Sequence, residues 1–247
     1  MPRRFFTAHP LKNETLVLAG GEAHHLSHVL RLKAGDEVVL FDGTGEEATA
    51  QILTVASGQV TLAVKSRRIA TTELPFPLIL GTAVPKGDRF SWLVEKATEL
   101  GVTRLIPLRC ARSIVDPGSG KLDKMRNTVI AASKQCGRSQ LMVIDEPCDW
   151  GRFLQKELPG QQAWVADFAG VSPLDLEATA GSHPGGPGLV LAVGPEGGLT
   201  TGEVAAAAEL GAKLVSLGPR ILRTETAALA LATLAAAACS ARSGPQN

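Results

Sequence analysis

The sequence has 247 residues, of which 45% are hydrophobic and 20% are charged, and these fractions exclude a disordered or low-complexity chain. The longest apolar run, residues 227–239, is shorter than the roughly 18 to 20 residues that cross a bilayer, so a buried helix is expected there and not a membrane anchor. The net charge of +1 hides an uneven distribution, because residues 86–138 carry 11 basic and 5 acidic side chains whereas residues 139–247 carry 6 and 11.

The first third of the chain has the pattern of a small β-barrel. Runs of β-branched and apolar residues, separated by glycine-containing turns, predict strands over residues 36–41, 48–55 and 59–64. One helix interrupts this pattern at residues 23–32, where apolar side chains recur at helical spacing. No apolar segment typical of a signal peptide follows the basic N-terminus, which predicts a cytoplasmic protein.

A stiff connector separates this region from the rest of the chain. Two prolines in residues 74–77 favour extended backbone, so we predict domains at residues 1–72 and 78–247 joined by a linker at 73–77.

Strands alternate with helices beyond the linker, which predicts an α/β domain with a mostly parallel sheet. Helices are predicted over residues 90–100 and 122–136, where apolar residues follow a helical period. Apolar runs predict strands over residues 78–84, 105–108, 142–144, 163–166, 189–193 and 213–217.

Two loops in this second domain carry unusual residues directly after predicted strands, where ligands bind in parallel sheets. The first has three glycines in residues 194–198 and is followed by Thr200 and Glu203 at the spacing of a helix capping box. The second, residues 217–227, places Arg, Thr and Glu before an apolar helix. Taken alone, the first could be a tight turn and the second a helix cap.

Several common types of site have no signature in this sequence. Neither the dinucleotide-binding glycine motif, nor the phosphate-binding P-loop, nor the nucleophile elbow of serine hydrolases is present. The 4 cysteines form no Cys-x-x-Cys pair, and His24, His25 and His28 have no further ligand at a suitable spacing. We therefore predict reduced cysteines and no metal.

Five segments, in order along nearly the whole chain, resemble the RsmE family of the SPOUT superfamily, which methylates uridine N3 in 16S ribosomal RNA. The most specific of them is the eleven-residue stretch LGPRILRTETA. The matching segments are residues 24–31, 95–102, 131–138, 194–199 and 217–227.

The resemblance implies the fold, the cofactor and the assembly. It predicts an N-terminal PUA-like β-barrel that binds RNA and a C-terminal α/β methyltransferase domain whose backbone is tied in a trefoil knot. S-adenosylmethionine would bind in the knot, and the chain would form a homodimer in which the alanine-rich helix after Thr226 contributes to the interface. A third loop, around Asp167 and Phe168, is expected to close the site.

The cofactor-binding residues that the resemblance implies lie in the two loops and beside them. They are Leu191, Gly194, Pro195, Glu196, Gly197, Gly198, Leu217, Gly218, Ile221, Leu222, Arg223, Thr226 and Ala227.

The chemistry of such a reaction limits the catalytic candidates. Methyl transfer from a sulfonium needs positioning and exclusion of water but no metal. The N3 proton of uracil must be removed, so a base or a cation that stabilises the uracil anion is required. Arg223 is predicted to hold the anion or a phosphate, and Glu225 is predicted to accept the proton or to orient Arg223. Glu196 is a rival, and an Arg223–Glu225 structural ion pair is the alternative.

The predicted RNA contacts are cations, because the chain has no tyrosine, 7 phenylalanines and 3 tryptophans for base stacking. The cationic middle of the chain is typical of a phosphate-binding surface, although a solvated helix face has the same composition. The candidates are Arg3, Arg4, His25, Arg31, Lys86, Arg89, Arg112 and Arg138.

Three other functions stay open from the sequence. The chain could be a catalytically silent RNA-binding or ribosome assembly factor, a SPOUT methyltransferase for another RNA, or a phosphate-binding α/β enzyme. The last is disfavoured because Glu196 would place a negative charge in the anion site.

Overall fold

The computed structural model describes residues 3–56, 58–115, 119–173, 176 and 188–240. The chain folds into two compact units. The first comprises Met1–Glu73 together with Ile130–Leu141, and the second comprises Leu74–Val129 and Met142–Asn247. The division between residues 73 and 74 falls in the predicted linker, whereas residues 130–141, predicted as part of the second domain, belong to the first unit.

The first unit is built on a five-stranded sheet with the order β1-β3-β4-β5-β2. β1 is parallel to β3, and the other neighbouring pairs are antiparallel. Alternate side chains point into one core that contains Phe5, Leu18, Leu40 and Leu62. The strands are β1 (Arg4–Phe6), β2 (Thr15–Ala19), β3 (Glu37–Phe41), β4 (Glu46–Ala56) and β5 (Gln59–Ile69). The three strands predicted in this region are confirmed, and two of them are longer than predicted.

The helix of the first unit differs from its prediction. A short α1 (Gly20–His24) continues as a π-helical turn over His25–Val29, in which the Leu30 N–H donates to the His25 carbonyl at 2.9 Å. Arg31 then has a φ of 55°, a left-handed conformation that ends the helix. Helical periodicity does not distinguish an α-turn from a π-turn, so the sequence could not show this widening.

Buried ion pairs hold residues 130–141 in the first unit. Arg4 donates to Glu47 at 2.8 Å and to Ser139 at 2.7 Å, and Ser139 also donates to Glu47 at 2.8 Å. Arg138, which is 3% exposed, is paired with Glu73 at 2.7 Å. Each buried charge therefore has a partner of opposite sign, as burial in a low-dielectric interior requires.

The second unit confirms the predicted parallel α/β sheet. Among the described residues of this unit, seven strands run parallel in the order β12-β10-β11-β6-β7-β8, with β9 also paired to β7. The central strands are buried along their whole length, which explains their continuous apolar sequences. The strands are β6 (Leu78–Ala83), β7 (Arg104–Arg109), β8 (Val143–Ile144), β9 (Cys148–Asp149), β10 (Gln162–Val171), β11 (Leu189–Val193) and β12 (Lys213–Val215).

The described residues beyond the first strand of this sheet form five helices, of which α3 crosses the division between the two units. α4 was not predicted, although its buried Trp150, Phe153 and Leu154 follow a helical period. No helix in the described part of the chain is long and apolar enough to cross a membrane. The helices are α2 (Arg89–Glu99), α3 (Ser119–Cys136), α4 (Trp150–Glu157), α5 (Thr201–Glu209) and α6 (Thr224–Ser240).

Candidate active site

A cavity of about 390 Å³ lies at the carboxyl ends of β10, β11 and β12 in the second unit. Such a volume is within the range of small-molecule sites. Two segments form most of its wall, the glycine loop (residues 194–199) and the arginine loop (residues 216–224). The rest of the wall consists of residues 166–168, Arg112, Val193, Val215 and Ala227.

The glycine loop is a tight turn between β11 and α5. The Gly198 N–H donates to the Pro195 carbonyl at 2.8 Å, and Gly198 has a φ of 69° that side chains rarely adopt. A Cβ atom on Gly198 would have no neighbour within 4 Å, which leaves open space over the backbone. The loop therefore exposes its peptide groups to whatever enters the cavity.

Glu203 fixes the far end of the glycine loop, and the predicted capping box is confirmed. The Glu203 carboxylate accepts from the Thr200 N–H at 2.8 Å, while Thr200 Oγ1 accepts from the Glu203 N–H at 3.2 Å. The Ala111 N–H donates to the same carboxylate at 2.8 Å. Burial acts to raise the pKa of Glu203, but the hydrogen bonds from Thr200 and Ala111 outweigh it and hold the pKa below its usual value.

The arginine loop faces the glycine loop across the cavity. Gly218 has a φ of 98°, and no atom lies within 4 Å of the position where its Cβ would stand. Thr224 is buried and donates through Oγ1 to the Gly194 carbonyl at 3.4 Å, which links the two loops. Ile221 lines the cavity and is 82% exposed, so it offers an uncovered apolar surface for a ligand.

The third side of the cavity comes from a bulge in β10. The register between β10 and β12 shifts between Ala166 and Val171, so the intervening residues leave the strand pairing. Asp167 accepts from the Ala169 N–H at 2.8 Å within this bulge, and Phe168 is 65% exposed. Both residues line the cavity, where the sequence predicted a closing loop.

Most of the predicted cofactor-binding residues meet at this cavity. Leu191 lies instead in the buried interior of β11, and neither Arg223 nor Thr226, both exposed, lines the cavity. The predicted residues that do line it are Gly194, Pro195, Glu196, Gly197, Gly198, Leu217, Gly218, Ile221, Leu222 and Ala227.

The two predicted catalytic residues do not lie together in the cavity. Glu225 is 5% exposed in the first turn of α6, with the Arg89 guanidinium 3.9 Å away and no hydrogen-bond partner on Oε2 among the described residues. The ion pairs of the described residues join Glu225 to Arg89 and not to Arg223. Glu196, the rival candidate, is exposed on the cavity wall.

The predicted RNA-contacting cations differ in their exposure. The guanidinium groups of Arg4 and Arg138 form ion pairs inside the first unit, and their side chains are only 10% and 4% exposed. They therefore offer little charge at the surface to RNA. The sequence shows that these two residues are cations, but it does not show whether their side chains are buried. The exposed or partly exposed candidates are Arg3, His25, Arg31, Lys86, Arg89 and Arg112.

Sequence reasoning did not assign Arg112, Arg220 and Thr224 to this cavity. Arg112 follows the carboxyl end of β7. Because ligands bind at that edge of a parallel sheet, this position could have assigned Arg112 to the cavity from the sequence.

Comparisons with known proteins match most of the chain. Residues 72–236 match a family of RNA methyltransferase domains, and residues 18–65 match a family of RNA methyltransferase PUA domains. A ribosomal RNA small subunit methyltransferase E from Bacillus subtilis is 33% identical over 222 residues, which are 87% of each chain. The Synechocystis protein of the same name is 34% identical over 213 residues, covering 86% of this chain and 70% of the relative.

Two solved structures have the same fold over nearly the full length. A ribosomal RNA small subunit methyltransferase E from Neisseria gonorrhoeae, bound to S-adenosylmethionine, has 31% identity and a TM-score of 0.83, covering 94% of this chain and 95% of that one. A protein from Legionella pneumophila solved with S-adenosylmethionine has 29% identity and a TM-score of 0.85, covering 96% and 98%.

Proposed function

The chain belongs to the RNA methyltransferase family that includes ribosomal RNA small subunit methyltransferase E, and from this premise we propose that it methylates N3 of a uridine in 16S ribosomal RNA of the small ribosomal subunit, with S-adenosylmethionine as the methyl donor. The observation that carries the proposal is the cavity of about 390 Å³ that the glycine loop and the arginine loop enclose. The homodimer and the trefoil knot implied by the family resemblance are part of the same proposal.

The cavity wall suits S-adenosylmethionine. Open space over Gly198 and Gly218 lets a ligand approach the peptide groups, while Ile221 and Leu222 offer apolar contacts for a nucleoside. Glu196 places a carboxylate on the same wall, which favours a cationic ligand over a free phosphate. When bound, S-adenosylmethionine supplies a methyl group made electrophilic by a sulfonium.

The residues of the chain must then remove the N3 proton of uracil. Glu196 is exposed on the cavity wall, whereas Glu225 is buried beside Arg89. A base must be within hydrogen-bond reach of the proton that it accepts. We therefore favour Glu196 as the proton acceptor and keep Arg223 and Glu225 as candidates that position the start of α6.

The target uridine must be unpaired, because N3 lies on the edge that forms base pairs. Arg3, Arg31 and Lys86 are exposed cations that suit the phosphate backbone. The positive φ of Arg31, next to a π-helical turn, is the kind of backbone strain that clusters at functional sites.

The test is transfer of tritiated methyl from S-adenosylmethionine to small subunits that lack the modification and to naked 16S RNA, with the product mapped by mass spectrometry. We expect label at N3 of a single uridine, and we expect Glu196→Gln to lower the rate about 100-fold while Glu209→Gln, the same change on the exposed end of α5, does not. Cofactor binding without label would indicate another RNA, and no cofactor binding would indicate a silent RNA-binding factor. Light scattering of the purified chain tests the homodimer.

A further inference from the structure

Arg112 lies in a turn that is hydrogen-bonded both to the glycine loop and to Glu203 at the start of α5. Within the turn, Ser113 Oγ accepts from the Cys110 N–H at 2.9 Å, and the Ser113 N–H donates to the Cys110 carbonyl at 3.0 Å. Arg112 Nη1 donates to the Gly197 carbonyl at 2.7 Å, and the turn also binds Glu203 through the Ala111 N–H. These contacts fix the guanidinium at the edge of the cavity.

Among the described residues, the guanidinium of Arg112 uses only one of its three nitrogens in hydrogen bonds. An arginine side chain has five N–H donors, and the described contacts of Arg112 all involve Nη1. In the part of the chain that the structure describes, no carboxylate lies within ion-pair distance of Arg112. Its side chain is exposed and lines the cavity. It therefore presents a fixed positive charge to whatever occupies this side of the site.

Arg112 borders the glycine loop on the side away from the arginine loop. Along the sheet, the arginine loop follows β12 at one end of the strand order, whereas Arg112 follows β7, on the other side of β11 and β6. The glycine loop lies between them in this order. Arg220, the other cavity arginine, has no hydrogen bond or ion pair among the described residues that would fix it.

We propose that Arg112 binds the uracil ring of the target uridine and stabilises the negative charge that develops on it as the N3 proton leaves. The inference rests on the proposed function. The N3 proton passes to a carboxylate, for which Glu196 is the candidate, and the N3 lone pair forms the new bond to the methyl carbon as the carbon–sulfur bond breaks. The products are 3-methyluridine, S-adenosylhomocysteine and one proton.

This role matches the chemistry of arginine. A guanidinium remains protonated at neutral pH, so it cannot be the base, but its two parallel N–H groups can hold a carbonyl oxygen that gains charge. A donor that is already in place when charge develops contributes most to catalysis, and removal of one such donor lowers rates about 100- to 1,000-fold.

The experiment compares Arg112→Gln and Arg112→Lys with Arg109→Gln, a matched change three residues earlier, whose Nη1 lies 3.4 Å from the Pro147 carbonyl and outside the cavity wall. Single-turnover methyl transfer is measured against pH, and S-adenosylmethionine affinity is measured by calorimetry. For Arg112→Gln we expect a rate about 100-fold lower, cofactor affinity within about twofold of wild type, and a rate that rises at higher pH than in wild type. Arg112→Lys should recover part of the rate, because it keeps the charge.

Several results would overturn the inference. A parallel loss of cofactor affinity would assign Arg112 to the cofactor or to the shape of the glycine loop. The single-turnover rate is also measured against RNA and salt concentration, and a change confined to the RNA concentration at half-maximal rate, with a smaller salt dependence, would assign Arg112 to the RNA backbone. An equal loss in Arg109→Gln would indicate a general charge effect. If wild type methylates uridine N3 and Arg112→Gln is unimpaired, the inference alone fails, whereas wild-type label on a ribose hydroxyl would refute the proposed function and the inference together.

Discussion

Glu203 offers the sharpest test of how the glycine loop is held, through the substitution Glu203→Gln. The carboxylate accepts from the Thr200 N–H at 2.8 Å, from Thr200 Oγ1 at 3.0 Å and from the Ala111 N–H at 2.8 Å. The glutamine side chain has the same shape but only one acceptor oxygen. Its NH₂ group must therefore face either the Ala111 N–H or the Thr200 donors, and the hydrogen bonds on that side are lost. Hydrogen bonds to a charged group contribute about 1.5–3 kcal/mol each, and helix caps about 0.5–2 kcal/mol. We therefore expect a loss of about 2 kcal/mol in the free energy of unfolding.

The assays for this variant are urea denaturation and hydrogen exchange of a peptide covering residues 109–115. Exchange at the Ala111 amide should become faster, because its acceptor is lost or weakened. Glu209→Gln removes the same charge from the exposed C-terminal end of the same helix, and we expect it to be neutral or slightly stabilising.

The effect of Glu203→Gln should depend on pH in one direction. Because the pKa of Glu203 is held below its usual value in the folded chain, its contribution is fully present above the usual glutamate pKa and is lost as the pH falls through the folded value. The stability difference between wild type and variant should thus be present at pH 7 and shrink in acid. A variant within about 0.3 kcal/mol of wild type at pH 7, or a difference that does not shrink in acid, would refute the reasoning.

Three further predictions concern other parts of the molecule. Gly218→Ala should weaken S-adenosylmethionine binding about tenfold in calorimetry, because a φ of 98° strains any side chain by about 1–2 kcal/mol; unchanged affinity would show that the arginine loop tolerates another conformation. Glu47→Gln should destabilise the first unit by about 3 kcal/mol in urea, because it leaves Arg4, whose side chain is only 10% exposed, without its counter-charge. Burial acts to raise the pKa of Glu47, but hydrogen bonds from Arg4, Ser139 and Arg68 outweigh it and hold the pKa below its usual value. The stability that the Glu47 carboxylate contributes is therefore lost as the pH falls through its folded pKa, so the stability difference between wild type and Glu47→Gln should shrink in acid. Burial also raises the pKa of Cys110 to about 12, so native protein at pH 8 should resist iodoacetamide at this residue; rapid labelling found by mass spectrometry would contradict its burial.

The sequence predicted those features whose signal is local. β11 was predicted with its observed bounds, because a parallel strand buried on both faces is a continuous apolar run. The capping box was predicted because this motif is defined by residue type and by a separation of three residues, which Thr200 and Glu203 have in the sequence. The two cavity loops were predicted because they directly follow strands.

Other features depend on contacts between distant residues and were therefore missed. Arg4 and Arg138 are cations in the sequence, and only the fold shows that Glu47 and Glu73 pair with them. The separation of Glu225 from the cavity, and its approach to Arg89, depends on the packing of α2 beside α6. The π-helical turn has the same residue pattern as an ordinary helix.

The order of the two units along the chain has a consequence for synthesis on the ribosome. The first unit includes Ile130–Leu141, so it cannot be complete until the strands β6 and β7 and the helices α2 and α3 have also been made. Ser139 must emerge before Arg4 and Glu47 gain their hydrogen bonds to it, and Arg138 must emerge before Glu73 gains its ion pair. The first unit therefore cannot be completed before the chain beyond it is made, and a fragment that ends at residue 73 would keep the Arg4–Glu47 ion pair but would lack the Ser139 hydrogen bonds and the Arg138 partner of Glu73.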